Sequence, residues 1–172
     1  MNLDDLPPRE IMWEGKFVRA IRRGKWEFAS RTGDIRAVVI LAEHEGKIIL
    51  VSQPRAAPDC RCVELPAGLV GDHDPNATIE ATAVKELEEE TGFTAERVER
   101  LGDFYSSPGM LAEAFTLVRA HGARRIGEGG GDEHEDIEVH LVARADVSNF
   151  LEQKRAEGFG IGAKLLLLLD FR

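Results

Sequence analysis

Only two of the 172 residues are cysteines, Cys60 and Cys62. A one-residue gap is poor spacing for a disulfide, and no second pair completes a zinc site. The expectation is reduced thiols in a cytoplasmic protein. Long apolar stretches are also missing. Apolar runs such as Ala37–Ala42 and Leu165–Leu169 are far too short to cross a bilayer. The opening MNLDDLPPRE has neither the basic start nor the apolar stretch of a secretory leader. Positive charge is in deficit as well: 22 Lys and Arg stand against 31 Asp and Glu, a formal net charge of −9. That balance argues against nucleic acid or an acidic membrane as partner. The small basic clusters Arg22-Arg23-Lys25 and Arg124-Arg125 read as solvated surface.

What remains is an ordinary globular composition, 43% hydrophobic and 31% charged, in a chain long enough to bury a core. Residues 11–31 hold two extended stretches, with Gly15 and Gly24 as turns. Two β-branched runs, Ile35–Leu41 and Lys47–Val51, flank the polar turn His44-Glu45-Gly46 and predict a hairpin. A helix is expected from about Thr78 to Thr91, capped by Thr78 or by the Asp74-Pro75 pair and ended by Gly92. Further strands follow in VERLGDFYSSPGM, EAFTLVRAHG and DIEVHLVAR. The glycine-rich segment Arg124–His134 reads as a mobile loop. Asp146–Glu157, capped by Asp146, and Lys164–Leu169 read as helical segments. With no repeat and no linker, the organisation is a single domain, residues 1–172. About 1–34 form N-terminal strands, and 35–172 form a mixed α/β core.

The stretch KELEEETGF, Lys85–Phe93, carries four glutamates in five positions at the end of the predicted helix. Glu86, Glu89 and Glu90 stand at i, i+3 and i+4 and share one face, while Glu88 points away. Two such charges about 5 Å apart repel by roughly 3 kcal/mol at an effective dielectric near 20, and by under ~1 in bulk water. The helix C-terminus, negative end of the macrodipole, makes the crowding worse. A solvated acidic face would explain the run. So would a hard divalent cation bound through oxygens, Mg²⁺ or Mn²⁺.

The wider pattern PAGLV…TIEATAVKELEEETGF resembles the Nudix hydrolase box, G-x5-E-x7-R-E-U-x-E-E-x-G-U with U apolar. It matches at Glu86, Leu87, Glu89, Glu90, Gly92 and Phe93. The resemblance implies a Nudix-like α/β/α sandwich with a mixed sheet and an additional N-terminal antiparallel sheet. It also implies a divalent metal, Mg²⁺ with Mn²⁺ as a substitute, held against a substrate diphosphate. Glu86 and Glu90 would be the chief ligands, supported by Glu89 and the carbonyl of Ala67. The chain departs from the box at Ala77, where the first glutamate belongs, and at Lys85, which replaces arginine. The loop before the helix is about three residues longer than in close relatives. An EF-hand reading of Asp72-x-Asp74-x-Asn76 fails because Ala77 and Ala83 occupy its glycine and glutamate places.

Three further segments resemble the ADP-ribose pyrophosphatase branch. YSSPGMLAE, Tyr105–Glu113, supplies Glu113. GDEHEDIEVHLV, Gly131–Val142, is similar to a segment that delivers a catalytic glutamate, here Glu133 first and Glu135 as ligand or base. KWEFASR, Lys25–Arg31, would stack Trp26 on adenine and touch its edge with Glu27. Arg55 and Arg31 would hold phosphate oxygens in a guanidinium fork, although Pro54 stands where the family has an aromatic. The implied reaction is metal-dependent hydrolysis of ADP-ribose to AMP and ribose 5-phosphate, by a homodimer. Two alternatives remain. One is another nucleoside diphosphate such as GDP-mannose or NADH; the other is a sensor that binds a nucleotide-sugar without cleaving it. His134 reads as solvent-exposed, and His44, His73, His121 and His140 show no ligand spacing.

Overall fold

The computed structural model of the protein describes residues 2–71, 74 and 76–169, the side chains of Asp34 and Leu169 excepted. Where two extended stretches were expected, three antiparallel strands form a small sheet: β1 (Glu10–Glu14), β2 (Val18–Arg23) and β3 (Trp26–Arg31). The expected hairpin is β4 (Arg36–His44) and β5 (Lys47–Arg55). Glu45 and Gly46 have φ of 49° and 75°, the left-handed pair that a two-residue hairpin turn demands. Then come β6 (Cys60–Glu64), β7 (Ala67–Val70), helix α1 (Ile79–Thr91), β8 (Phe93–Thr94), β9 (Arg97–Tyr105) and β10 (Ala114–His121). After β11 (Arg124–Arg125) and β12 (Glu138–Ala143) follow helix α2 (Val147–Ala156), β13 (Gly160–Ile161) and a closing 3₁₀ turn, Ala163–Leu169.

The hairpin strands pair only beside their turn, at Glu43↔Ile48 and His44↔Lys47, and then part. Beyond it β4 lies between antiparallel β7 and parallel β10. β5 lies between antiparallel β12 and β6, and β6 runs parallel to β13. Residues Ala37–Ala42 of β4 are buried without a break. Ala37, Val39 and Leu41 join a core with Leu50, Phe115 and Leu117, on which Phe150 and Leu151 of α2 pack. Val38, Ile40 and Ala42 join Ala83 and Leu87 of α1 and Phe93. A strand covered on both faces needs a continuous apolar run instead of alternation. The result is a mixed α/β architecture with a mixed sheet between helical layers, beside the N-terminal antiparallel sheet.

Of the two cap candidates for α1, Thr78 makes the cap, its hydroxyl accepting the Ala81 N–H at 3.1 Å. Asp74 instead accepts from Asn76 N–H, at 2.9 Å. Its neighbours Asp72, His73 and Pro75, in the stretch expected to be longer than usual, lie outside the described residues. Asp146 precedes α2 but makes no side-chain cap bond, because it ends a 3₁₀ turn in helical conformation.

The glycine-rich segment has a task other than mobility. Gly130 N–H donates to Glu90 O and Gly131 N–H to Glu89 O, at 2.9 and 3.0 Å, and Ile126 and Gly127 N–H both reach Gly92 O. These donors satisfy carbonyls that a helix end leaves open and offset its negative pole. Close approach explains the glycines. A Cβ on Gly129 would stand 2.3 Å from the carbonyl carbon of Thr91.

Candidate active site

The three glutamates that share a face of α1 meet different surroundings. Glu90 is only 4% exposed and accepts the Ala67 N–H from β7 at 3.1 Å. Burial pushes its carboxyl up to about 8, helped by Glu86 and Glu135 and opposed by the Ala67 N–H and Arg55. Glu86 presses against Gly68, where an added Cβ would stand 2.1 Å from the Glu86 carboxyl carbon. Glu89 is half-exposed and ion-paired with Lys85 one turn back. Lysine in the arginine place therefore braces a glutamate of its own helix, where Ala77 offers no carboxylate.

These side chains line a cleft of about 580 Å³ together with Ala67, Arg31, Arg55, Glu64, Glu113, Asp132, Glu135 and Lys164. Both expected phosphate-binding arginines reach it, each already engaged. Arg55 forks onto Glu64 at 2.9 and 2.8 Å, and Arg31 pairs with Glu113. Pro54 does not displace Arg55. It lies past the last β5–β12 pair, Ser52↔Glu138, where among the described residues the strand has no ladder neighbour on that side to miss an N–H.

The acidic segment supplies Glu135 and Asp132 to the cleft, whereas Glu133 stands 87% exposed beside His134 and outside it. A short turn sets this order, in which Asp132 N–H donates to Glu135 Oε2 at 3.1 Å. Arg61 of β6 then ties down the next residue. Its Nη1 donates to Asp136 Oδ2 at 2.8 Å and its Nη2 to the Asp136 carbonyl at 2.9 Å. Ser52, fully buried, accepts from Arg61 Nε at 3.2 Å and lies 2.9 Å from His140 Nε2.

Trp26 and Glu27 line a second cleft, of about 490 Å³, with Phe28, Tyr105 and Pro108. The two clefts share walls. β3 runs from Trp26 in one to Arg31 in the other, about 17 Å of strand, and segment 108–113 runs alongside with Glu113 at its far end. The two are stitched by Ala29 N–H to Met110 O and Ala112 N–H to Ala29 O, at 2.8 and 2.9 Å.

Among the described residues no three His, Cys, Asp or Glu side chains are drawn tightly enough together to hold an ion as they stand. The donor chemistry nonetheless fits a hard cation. Glu90, deprived of water, is further burdened by Glu86 and Glu135, and a divalent ion on carboxylate oxygens would relieve all three. Lys164, Asp132 and the Arg61 anchor were not anticipated from sequence. The one available signal was a single lysine heading the apolar run Leu165–Leu169.

A family model described as the NUDIX domain matches residues 32–160. The chain belongs to that family. It is 39% identical over 121 residues to an ADP-ribose pyrophosphatase of Bacillus subtilis (strain 168), an alignment covering 69% of this chain and 63% of the relative. With a GDP-mannose pyrophosphatase of Cronobacter sakazakii it shares 35% identity over 146 residues, 80% of this chain and 72% of that one. The chain thus spans under two thirds of the Bacillus relative's length. Among solved structures it is similar to one described as an ADP compounds hydrolase, with a TM-score of 0.67 at 20% identity, covering 86% of this chain and 82% of that one. That likeness supports the fold.

Proposed function

We propose that the protein hydrolyses the diphosphate bond of a nucleoside diphosphate-sugar, with ADP-ribose giving AMP and ribose 5-phosphate. The observation that carries this reading is one cleft lined both by the carboxylates of α1 and the acidic segment and by Arg31, Arg55 and Lys164. Glu86, Glu90 and the Ala67 carbonyl would hold a divalent cation, Mg²⁺ or Mn²⁺, with Glu89 supporting from its ion pair. Such an ion, when bound, offsets charge on the phosphate oxygens and lowers the pKa of water.

The chain's own groups do the rest. Arg31 and Arg55 exchange their carboxylate partners for pairs of phosphate oxygens, which a guanidinium fork also binds through two parallel N–H groups. Water attacks one phosphorus, the bond from that phosphorus to the bridging oxygen breaks, and Glu135 takes the proton. The geometry supports Glu135 over Glu133 for that role, since only Glu135 lines the cleft. Trp26 and Glu27 take the base, the shared walls of the two clefts matching an extended substrate. The exposed apolar side chains Ile11, Met12 and Trp13 of β1, and Phe17 in the turn after it, fit a homodimer interface, which light scattering reads directly. The free thiols Cys60 and Cys62 fit a reducing, cytoplasmic setting.

GDP-mannose is the second reading, favoured by the longer alignment with the Cronobacter relative. Both readings are tested by following a panel of nucleoside diphosphate-sugars and NADH by phosphorus NMR, in Mg²⁺, Mn²⁺ and excess EDTA. Turnover of ADP-ribose with the highest kcat/KM, abolished by EDTA, is the expected result. Binding without product would assign a sensor instead.

A further inference from the structure

Four cations line the metal-side cleft, and three of them are spoken for: Arg31 by Glu113, Arg55 by Glu64 and Lys85 by Glu89. Lys164 differs. Among the described residues no carboxylate lies within ion-pair distance of it, and it stands over the face of Phe115, with Nζ 5.0 Å from the ring centre. An aromatic face compensates only part of an ammonium's lost hydration. Consistent with that, burial lowers the Lys164 pKa, while Glu113 and Glu64 raise it and Arg55 and Arg31 lower it further. The ammonium thus sits among two ion pairs that cancel internally, leaving one positive charge over. Arg55 acts electrostatically on both Lys164 and Glu90, so this cluster adjoins the carboxylate cluster of α1.

We propose that Lys164 is a substrate-binding residue of this cleft, whose ammonium takes the non-bridging phosphate oxygens of the diphosphate beside Arg31 and Arg55. The assignment rests on reading the cleft as a diphosphate site. A compact point charge suits this place better than another fork. It donates to phosphate oxygens without a fixed angle while the two guanidinium forks set the orientation. The 3₁₀ turn that carries it is anchored by Leu165 and Leu168 in the core, so the ammonium is held in place by the same apolar run that made the segment look purely structural.

Two measurements on the full chain test this. Wild-type protein is treated with pyridoxal 5′-phosphate, a phosphate-bearing aldehyde, and the imine formed with loss of water is reduced by borohydride and mapped by peptide mass. Labelling at Lys164, suppressed by inorganic pyrophosphate with Mg²⁺, is expected. Labelling only elsewhere, or labelling at Lys164 that pyrophosphate leaves unchanged, would overturn the assignment. Calorimetry with Mg²⁺-pyrophosphate then compares the wild type with Lys164→Met, which keeps the stem over Phe115, and Lys164→Arg. Losing one charge-assisted hydrogen bond predicts binding about 10–100-fold weaker for Lys164→Met and within about fivefold of wild type for Lys164→Arg. Equal affinity of Lys164→Met and wild type, or no pyrophosphate binding by wild type at all, would sink it. If pyrophosphate binds through Lys164 but no nucleoside diphosphate-sugar is cleaved, the catalytic reading fails and this one stands.

Discussion

Replacing Glu90 by glutamine separates what this residue does for folding from what it does for chemistry. Glu90 is 4% exposed and its carboxyl is raised from 4.5 to about 8. Because the folded value lies above the unfolded one, the stability this carboxyl provides is complete below about pH 4.5. It drains away as the pH rises through about 8. At pH 7 the metal-free wild type has lost about 3 kcal/mol relative to a side chain that never ionises. Glutamine keeps the shape and can still accept the Ala67 N–H through its amide oxygen. The variant should therefore melt higher than wild type in EDTA, by roughly 6–12 °C for a chain of this size, with the gap widening from pH 5 to pH 8. Adding Mg²⁺ should raise the wild-type midpoint and leave the variant's nearly unmoved, while ADP-ribose turnover falls by orders of magnitude. Thermal melts followed by circular dichroism over that pH range provide the check. A variant melting at or below wild type in EDTA at pH 8 would show that burial of this carboxylate is not what destabilises the metal-free protein.

Other expectations concern neighbouring groups. Glu135→Gln should lower kcat about 10²–10⁴-fold as loss of a general base, while Glu133→Gln, at a side chain 87% exposed, should stay within about twofold; the reverse order in steady-state kinetics would restore Glu133 to the role. Gly68→Ala places a Cβ 2.1 Å from the Glu86 carboxyl carbon. That flexible side chain must swing aside, so a Mg²⁺ titration of activity should need more metal while the melting point hardly moves. His140 is held below its usual pKa, chiefly by burial, so its contribution to stability is present above about pH 6.5 and is lost as the pH falls through the folded value. His140→Phe, beside Phe150, should remove that part of the acid slope in urea melts, and identical slopes for the two proteins would contradict it.

The box itself was legible because its signal is local. The spacing of Glu86, Glu89 and Glu90 places them on one helical face whatever surrounds the helix, and Gly92 with φ of 72° ends it as its position promised. The β4–β5 hairpin was equally plain, since its turn chemistry and β-branched runs act over a few residues. Sequence distance hid the remainder. Whether a glutamate on that face is a solvated charge or a buried one depends on β7 arriving above it, and Glu90 and Glu89 differ for that reason alone. The glycines after β11 looked like those of a mobile loop. Only the docked loop shows that their missing side chains let backbone N–H groups reach the carbonyls of α1.

Sequence alone settled the family box, the helix that bears it and the carboxylate face, because each follows from neighbours along the chain. Tertiary structure decided that Glu135 and not Glu133 lines the cleft, that Arg61 secures that turn, and that Lys164 enters from the far end of the chain. Those outcomes depend on contacts between segments up to about a hundred residues apart, and the free energy that selects among them comes from burial and ion pairing, which no local pattern encodes.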